Sequence, residues 1–297
     1  MIVVITGPTG VGKTELSLAV AEHYCTEIIS GDAMQVYKGM DIGTAKVNKE
    51  ERAAIRHHMI DILSPQEAFS VANYQKAVRE HIETMYTAGK LPLIVGGTGF
   101  YIKSVLHDFD FTDTKRDFTY EKKLEALNDE TLHEKLVELD PDAAKTLHPH
   151  NRKRVLQALR RAESGQLKSA STNQDKALYD YLIIVLDMER EKLYHRIETR
   201  VDAMFAQGLL EEARKIYDEN PAYTAANAIG YKELFGYFAG SYDLPEAKRL
   251  IKRNTRRYAK RQLTYFRNQF DAKIIDVDAV NQQHLVASVI ALIDKHK

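Results

Sequence analysis

The amino-acid sequence predicts an α/β protein: a P-loop parallel sheet core with helices on both faces and a helical insertion domain. Three observations predict it. Short, continuous apolar runs recur along the chain, and each closes on glycine or aspartate. Segments with helical apolar spacing lie between them. The first run leads directly into Gly7-Pro8-Thr9-Gly10-Val11-Gly12-Lys13-Thr14, which fits G-x-x-x-x-G-K-[ST]. Continuous apolar runs are the pattern of strands buried on both faces, and strands alternating with helices make parallel sheets.

Ile2 to Thr6 is the first such strand, and Thr14 to Tyr24 follows with helical spacing. Glu27 to Ser30 is a second strand, ending at Gly31-Asp32. Val71 to Ala88 is a helix. Leu91 to Val95 is a third strand, closed by Gly96-Gly97-Thr98-Gly99. Tyr181 to Leu186 is a fourth, closed by Asp187. Helical patterns then continue to about Asn268, and Lys273 to Val277 reads as a last strand. Between the third and fourth strands the chain is charged and helical in pattern, too long for a loop. It is expected to form a helical insertion domain over 113–177, with a P-loop catalytic core over 1–112 and 178–297. Ser164 to Asp175 reads as a polar loop. Ligands in such sheets bind at the carboxyl ends of the strands, where Gly7, Asp32, Thr98 and Asp187 fall.

The 297 residues carry 42 Lys plus Arg and 42 Asp plus Glu, which excludes a uniformly basic nucleic-acid coat but not a local patch. The single cysteine, Cys25, rules out an internal disulfide and a multi-cysteine zinc site; it fits a reducing cytosol and reads as core packing. No basic segment followed by a long apolar stretch opens the chain, and no run approaches 18 apolar residues. A cytoplasmic protein is expected.

The Gly7–Thr14 motif has the context its chemistry needs, a buried strand before and a helix after. Its glycines let several N–H groups converge on one anion, and the helix N-terminus adds positive potential. Lys13 is placed for terminal phosphate oxygens and Thr14 for a magnesium ion. Asp32 ends the second strand facing that site; it is either a base for a nucleophile or a turn aspartate. Thr98 lies in a glycine run that permits close ligand approach. Asp187 is either a second acidic group of the NTPase kind or a cap for the helix that follows. Arg196 and Arg200 share one helix face, as a phosphate clamp or as a solvated or salt-bridged face. His57-His58 and His148-Pro149-His150 lack a metal constellation and read as loop or core residues. Lys248 to Arg267 holds nine basic residues and no acidic one, with Tyr258, Tyr265 and Phe266 interleaved, a pattern suited to a phosphate backbone. A second basic cluster, Arg152, Lys153, Arg154, Arg160 and Arg161, lies in the insertion.

Together these blocks resemble the tRNA dimethylallyltransferases, also called tRNA isopentenyltransferases, of bacterial type. The resemblance is carried by the Gly7–Thr14 loop and by the run Gly31-Asp32-Ala33-Met34-Gln35-Val36-Tyr37-Lys38-Gly39-Met40-Asp41-Ile42-Gly43-Thr44-Ala45-Lys46. His57 to Leu63, Phe69-Ser70-Val71-Ala72, Gly96-Gly97-Thr98, Ala228 to Glu233 and Thr255 to Gln262 extend it. It implies transfer of a dimethylallyl group from dimethylallyl diphosphate to N6 of the adenosine 3′-adjacent to the anticodon. The P-loop residues Gly7, Pro8, Thr9, Gly10, Val11, Gly12, Lys13 and Thr14 would grip the diphosphate, with Mg2+ at Thr14. It further implies Asp32 as general base, Thr98 against the adenosine and Arg200 on the diphosphate. The tRNA anticodon stem-loop would meet Asp32, Ala33, Met34, Gln35 and Thr98. It would also meet Tyr120, Lys153, Arg154, Val155, Leu156 and Gln157 of the insertion, and Arg256 and Lys260 of the basic run. A monomer is implied. Three positions depart from the family pattern. Ala33 replaces a usual serine, Tyr120 stands where a basic residue is usual, and Tyr265 stands where tryptophan often does.

Three rivals share parts of this pattern. A P-loop small-molecule or nucleotide kinase shares the loop and the arginines. A prenyltransferase acting on free adenine nucleotides has no use for the basic run. A non-catalytic RNA-binding protein has no use for an intact Gly12-Lys13-Thr14 and Asp32.

Overall fold

Side-chain alternation in the strands builds two hydrophobic cores on opposite faces of one sheet. Ile2 and Val4 of β1 (Ile2–Thr6) enter one core while Val3 and Ile5 enter the other; Ile183 and Val185 of the central partner strand go one way, Leu182, Ile184 and Leu186 the other. The computed structural model describes residues 1–109, 111, 118–163 and 175–297. The expected loop at Ser164–Asp175 lies outside them except for Asp175.

In chain order the further elements begin with α1 (Lys13–His23), β2 (Ile28–Ser30), α2 (Lys49–Ala54), β3 (His57–His58) and α3 (Val71–Thr87). There follow β4 (Leu93–Val95), α4 (Gly99–Leu106), α5 (Phe118–Glu125), α6 (Asp129–Leu139), α7 (Pro141–Thr146) and α8 (Arg152–Glu163). The last are β5 (Tyr181–Asp187), α9 (Arg190–Ala206), α10 (Leu209–Asp218), α11 (Tyr223–Ala226), α12 (Tyr231–Phe238), α13 (Leu244–Gln269), β6 (Lys273–Asp276) and α14 (Gln282–His296). The sheet order is β3-β2-β4-β1-β5-β6 and every pairing is parallel. Helices α3 and α4 cover one face with Tyr74, Val78, Ile82, Ile102 and Val105. Helices α1, α9 and α14 cover the other with Leu16, Val20, Leu193, Ile197, Val289 and Ile293.

The chain divides into two compact units, residues 1–107 with 177–297, and residues 108–176. The second has its own small core, in which Leu124, Leu132, Leu136, Leu147, Val155 and Leu159 pack together. Its helices are locally encoded. Asn128 caps α6 by accepting from Thr131 N, and Asp140 caps α7, whose first turn holds Pro141.

Several sequence expectations need correction. His57 and His58 are neither loop nor core: they form the half-buried edge strand β3, too short for a periodicity signal. Cys25 is exposed rather than packed. It sits at φ 48 in the turn that ends α1, where its amide bonds back to Glu22 O at 3.1 Å and its side chain turns out of the core. Among the described residues, no helix is long and apolar enough to cross a membrane.

Candidate active site

The site is assembled where β1, β2 and β4 end. Backbone geometry shapes the P-loop first. Gly7 lies at φ +144, and a Cβ there would stand 2.5 Å from the Leu186 carbonyl oxygen of the neighbouring strand. Gly12, at φ +106, opens α1 in the left-handed region that a side chain resists. The loop therefore folds back on itself, and Lys13 Nζ donates to its own loop carbonyls, Gly7 O at 3.0 Å and Pro8 O at 2.9 Å. Burial lowers the Lys13 amine to about 8; Arg200 adds to that effect and Asp32 opposes it.

Asp32 follows β2. Its Oδ1 accepts from Met34 N at 2.8 Å, the bond of an Asx turn. Burial pushes its carboxyl above the usual carboxylate range, against the pull of the Met34 amide, Lys13, the Gln35 amide and Arg200. Arg200 reaches in from α9, donating to Thr9 Oγ1 at 3.3 Å; burial lowers its pKa and Asp32 raises it. Thr98 Oγ1 accepts from Ala33 N at 3.1 Å, and Thr98 N donates to Gly31 O at 3.0 Å. The loops after β2 and β4 are thus stitched together, with Asp32 and Thr98 side by side.

Two cavities meet here. One, of about 390 Å³, is lined by Gly10, Gly12, Lys13, Thr14, Gln35 and Arg196 among others. The second, of about 380 Å³, is lined by Ala33, Met34 and Thr98 and by the apolar side chains of Ile197, Val201, Met204 and Ile251. Thr9, Asp32, Thr44, Arg200 and Tyr258 belong to the walls of both. Asp32 therefore stands between the P-loop cavity and a largely apolar chamber.

The wall at Thr44 is held from a distance. Glu212 of α10 accepts from three successive amides, Asp41 N and Ile42 N at 2.9 Å and Gly43 N at 3.0 Å, and from the Tyr231 hydroxyl. Thr44 O in turn accepts from Gln35 Nε2 at 3.3 Å. Tyr258 and Gln262 of α13 complete the site. Burial pushes the Tyr258 phenol up to about 12, with Asp32 adding to it; the nearby Thr98, Arg261 and Gln262 side chains pull the other way. Neither Tyr258 nor Gln262 was singled out from the sequence as a site residue; Tyr231 entered only within the Ala228 to Glu233 block, and Glu212 carried no signal at all. The available clue for Gln262 is a polar residue on the apolar stripe Ala247, Ile251, Ala259, Phe266.

Asp187 is not the cap of the helix that follows it. Its Oδ1 accepts from the adjacent Met188 N at 2.9 Å and its Oδ2 pairs with Arg267, while the N-cap position of α9 falls on Glu189. Arg196 is exposed and Arg200 half-buried, and both contribute to the wall of the cavity at the P-loop. In the insertion, Val155 is fully buried in the core, which removes its side chain from any RNA surface. Lys153, Arg154 and Gln157 are exposed, Leu156 is half-buried, and Tyr120 is half-buried against the same core. On α13, Lys260 is exposed but Arg256 pairs with Glu198 and lies over the Tyr194 ring.

Fold and site together define a P-loop protein with an enclosed carboxylate beside its phosphate cradle. The IPP transferase family profile matches residues 35–269, and the chain belongs to that family. It is 48% identical over 284 residues to a tRNA dimethylallyltransferase of Bacillus pumilus, covering 93% of this chain and 89% of that one. It is 46% identical to the protein of that name from Bacillus subtilis, covering 93% and 90%. Among solved structures it is similar to a tRNA isopentenylpyrophosphate transferase of Bacillus halodurans, with 42% identity, TM-score 0.77, and 99% and 96% of the two chains covered. It is also similar to a eukaryotic dimethylallyltransferase acting on tRNA, with 27% identity, TM-score 0.85, and 99% and 79% covered.

Proposed function

We propose that this chain transfers a dimethylallyl group from dimethylallyl diphosphate to N6 of the adenosine 3′-adjacent to the anticodon in tRNA, releasing diphosphate. The observation that carries this reading is the pair of cavities meeting at Asp32. A diphosphate held by the P-loop on one side and a base entering from the other would bring donor carbon and acceptor nitrogen to one carboxylate.

The adenine N6 lone pair is conjugated with the ring, so the amine is a weak nucleophile. Asp32 accepts its proton as the new N–C bond forms. The donor's C–O bond breaks, and its electron pair leaves on the diphosphate oxygen. Lys13, Arg200 and the loop amides balance that charge. Thr98 orients the base. An adenosine stacked in the anticodon loop must be flipped out to reach this depth, and the apolar chamber offers it a place.

Among the described residues no three His, Cys, Asp or Glu side chains converge as a metal cage. The residues present fit Mg2+ bound mainly through phosphate oxygens and water, with Thr14 as the protein ligand. Such an ion would supply further charge neutralisation to the leaving group. The tRNA stem-loop would be held by Asp32 to Gln35, by Lys260 and its neighbours on α13, and by Lys153, Arg154 and Gln157 of the insertion. A monomer suffices for this chemistry, since every group invoked lies on one chain.

The test offers unmodified tRNA with labelled dimethylallyl diphosphate or with ATP labelled at its terminal phosphate. Label should enter the RNA from the prenyl donor alone. Phosphate passing from ATP to a small acceptor would assign a kinase instead.

A further inference from the structure

The Gln262 amide lies 253 positions from Thr9 in sequence yet joins the two loops that the reaction must keep in register. Its Oε1 accepts from Thr9 N in the P-loop at 3.0 Å, and its Nε2 donates to Gly97 O at 3.0 Å. The residue is 5% exposed. A buried amide with both ends satisfied is a rigid spacer, because losing either bond leaves a buried polar group unpaired. Its partners are the loops that hold donor and acceptor. Thr9 also carries the Arg200 contact, and Gly97 precedes Thr98. Tyr258, one helical turn earlier, lines the same walls beside Gln262 and Thr98.

The Gly97 backbone shows how closely this amide is seated. A Cβ at Gly97 would fall 2.0 Å from Gln262 Nε2 and 3.1 Å from its Cδ, with nothing else nearer than Gly7 O at 3.5 Å. A side chain at 97 would therefore have to displace the Gln262 amide.

We propose that Gln262 is a positioning residue that sets the distance between the diphosphate cradle and the Asp32–Thr98 pair. It touches neither reacting atom. Its effect falls on turnover, because a misplacement of about 1 Å between reacting groups costs on the order of 10²-fold. It also ties the helix bearing the basic run to the P-loop itself. The inference rests on the prenyl-transfer reading of the site.

The experiment compares Gln262→Met, which keeps the volume and removes both bonds, with Gly97→Ala, which displaces the amide while leaving Gln262 in place. Wild type, both single variants and the double variant are assayed for kcat, donor KM and melting temperature. Each single variant should lose about 10- to 100-fold in kcat, with donor KM changed far less and melting within a few degrees of wild type. The double variant should be no worse than either single one, since the two changes break one clamp. Unchanged kcat in Gln262→Met, or losses that multiply in the double variant, would overturn the proposal. So would a fall in melting temperature with normal kcat per folded molecule. If the wild type transfers no prenyl group, the reading of the site fails instead, and the two failures are distinct.

Discussion

Asp32 and Lys13 are shifted toward each other, the carboxyl up and the amine down, by burial in one enclosed site. The proposed transfer needs Asp32 deprotonated and Lys13 charged. The kcat/KM profile should therefore be bell-shaped. Its acid limb should lie above the usual carboxylate range, and its alkaline limb near the value of about 8 at which Lys13 loses its proton. Initial rates across pH check this; a profile flat through that alkaline region would remove the Lys13 charge from donor capture. The sign for stability is separate. Between about 8 and the ordinary 10.5 the unfolded chain binds the Lys13 proton that the folded chain has lost, so stability rises with pH there. For Asp32 the folded chain holds the extra proton, so stability falls as pH rises above 3.8. Asp32→Ala should cut turnover by roughly 10²–10⁴-fold with both substrates still bound, as single-turnover rates beside binding would show; near-normal turnover would excuse it as base. Asp32, Lys13 and Thr98 were legible because each ends a strand or sits in a motif a few residues long. Gln262, Tyr258 and Glu212 were not. The partners of Gln262 and Glu212 lie far off in sequence, so the blocks that contain Tyr258 and Gln262 mark the family but not what these side chains hold.

At the scale of the element, α13 carries two different faces. Ala247, Ile251, Ala259, Gln262 and Phe266 are buried, whereas Arg257, Lys260, Arg261 and Arg267 are exposed. The sequence showed the charge but not its pairing. Arg256 meets Glu198, Lys252 meets Asp202 at 2.7 Å, and Arg267 meets Asp187. The surface available to phosphate is thus narrower than nine positive charges imply. Lys260→Ala should weaken tRNA binding and reduce the salt slope by about one contact. Arg256→Ala should change that slope less, because its charge is already matched. Filter binding at several salt concentrations decides between them. Equal slopes for Lys260→Ala and wild type would return this face to a structural role. The strands were legible to within a residue or two, because both-face burial leaves continuous apolar runs. Two-residue β3 was not, because its His-His pair offers no period.

The whole molecule separates the chemistry from a second unit with its own core. Leu136 is fully buried in that core, so Leu136→Ala should cost about 2–5 kcal/mol of its stability. Donor binding should persist, since every donor contact proposed lies in the other unit. Affinity for tRNA should fall if Lys153, Arg154 and Gln157 hold it; unchanged tRNA affinity in a variant with a melted insertion would remove them from the interface. The most direct measurement is mass spectrometry of an unmodified anticodon stem-loop incubated with the protein, dimethylallyl diphosphate and magnesium. Fragmentation should place one dimethylallyl group on N6 of the adenosine following the anticodon, and the Asp32→Ala protein should leave that adenosine unmodified at the same time point. An unmodified RNA from the wild type, or a prenyl group appearing only on free adenine nucleotides, would contradict the assignment.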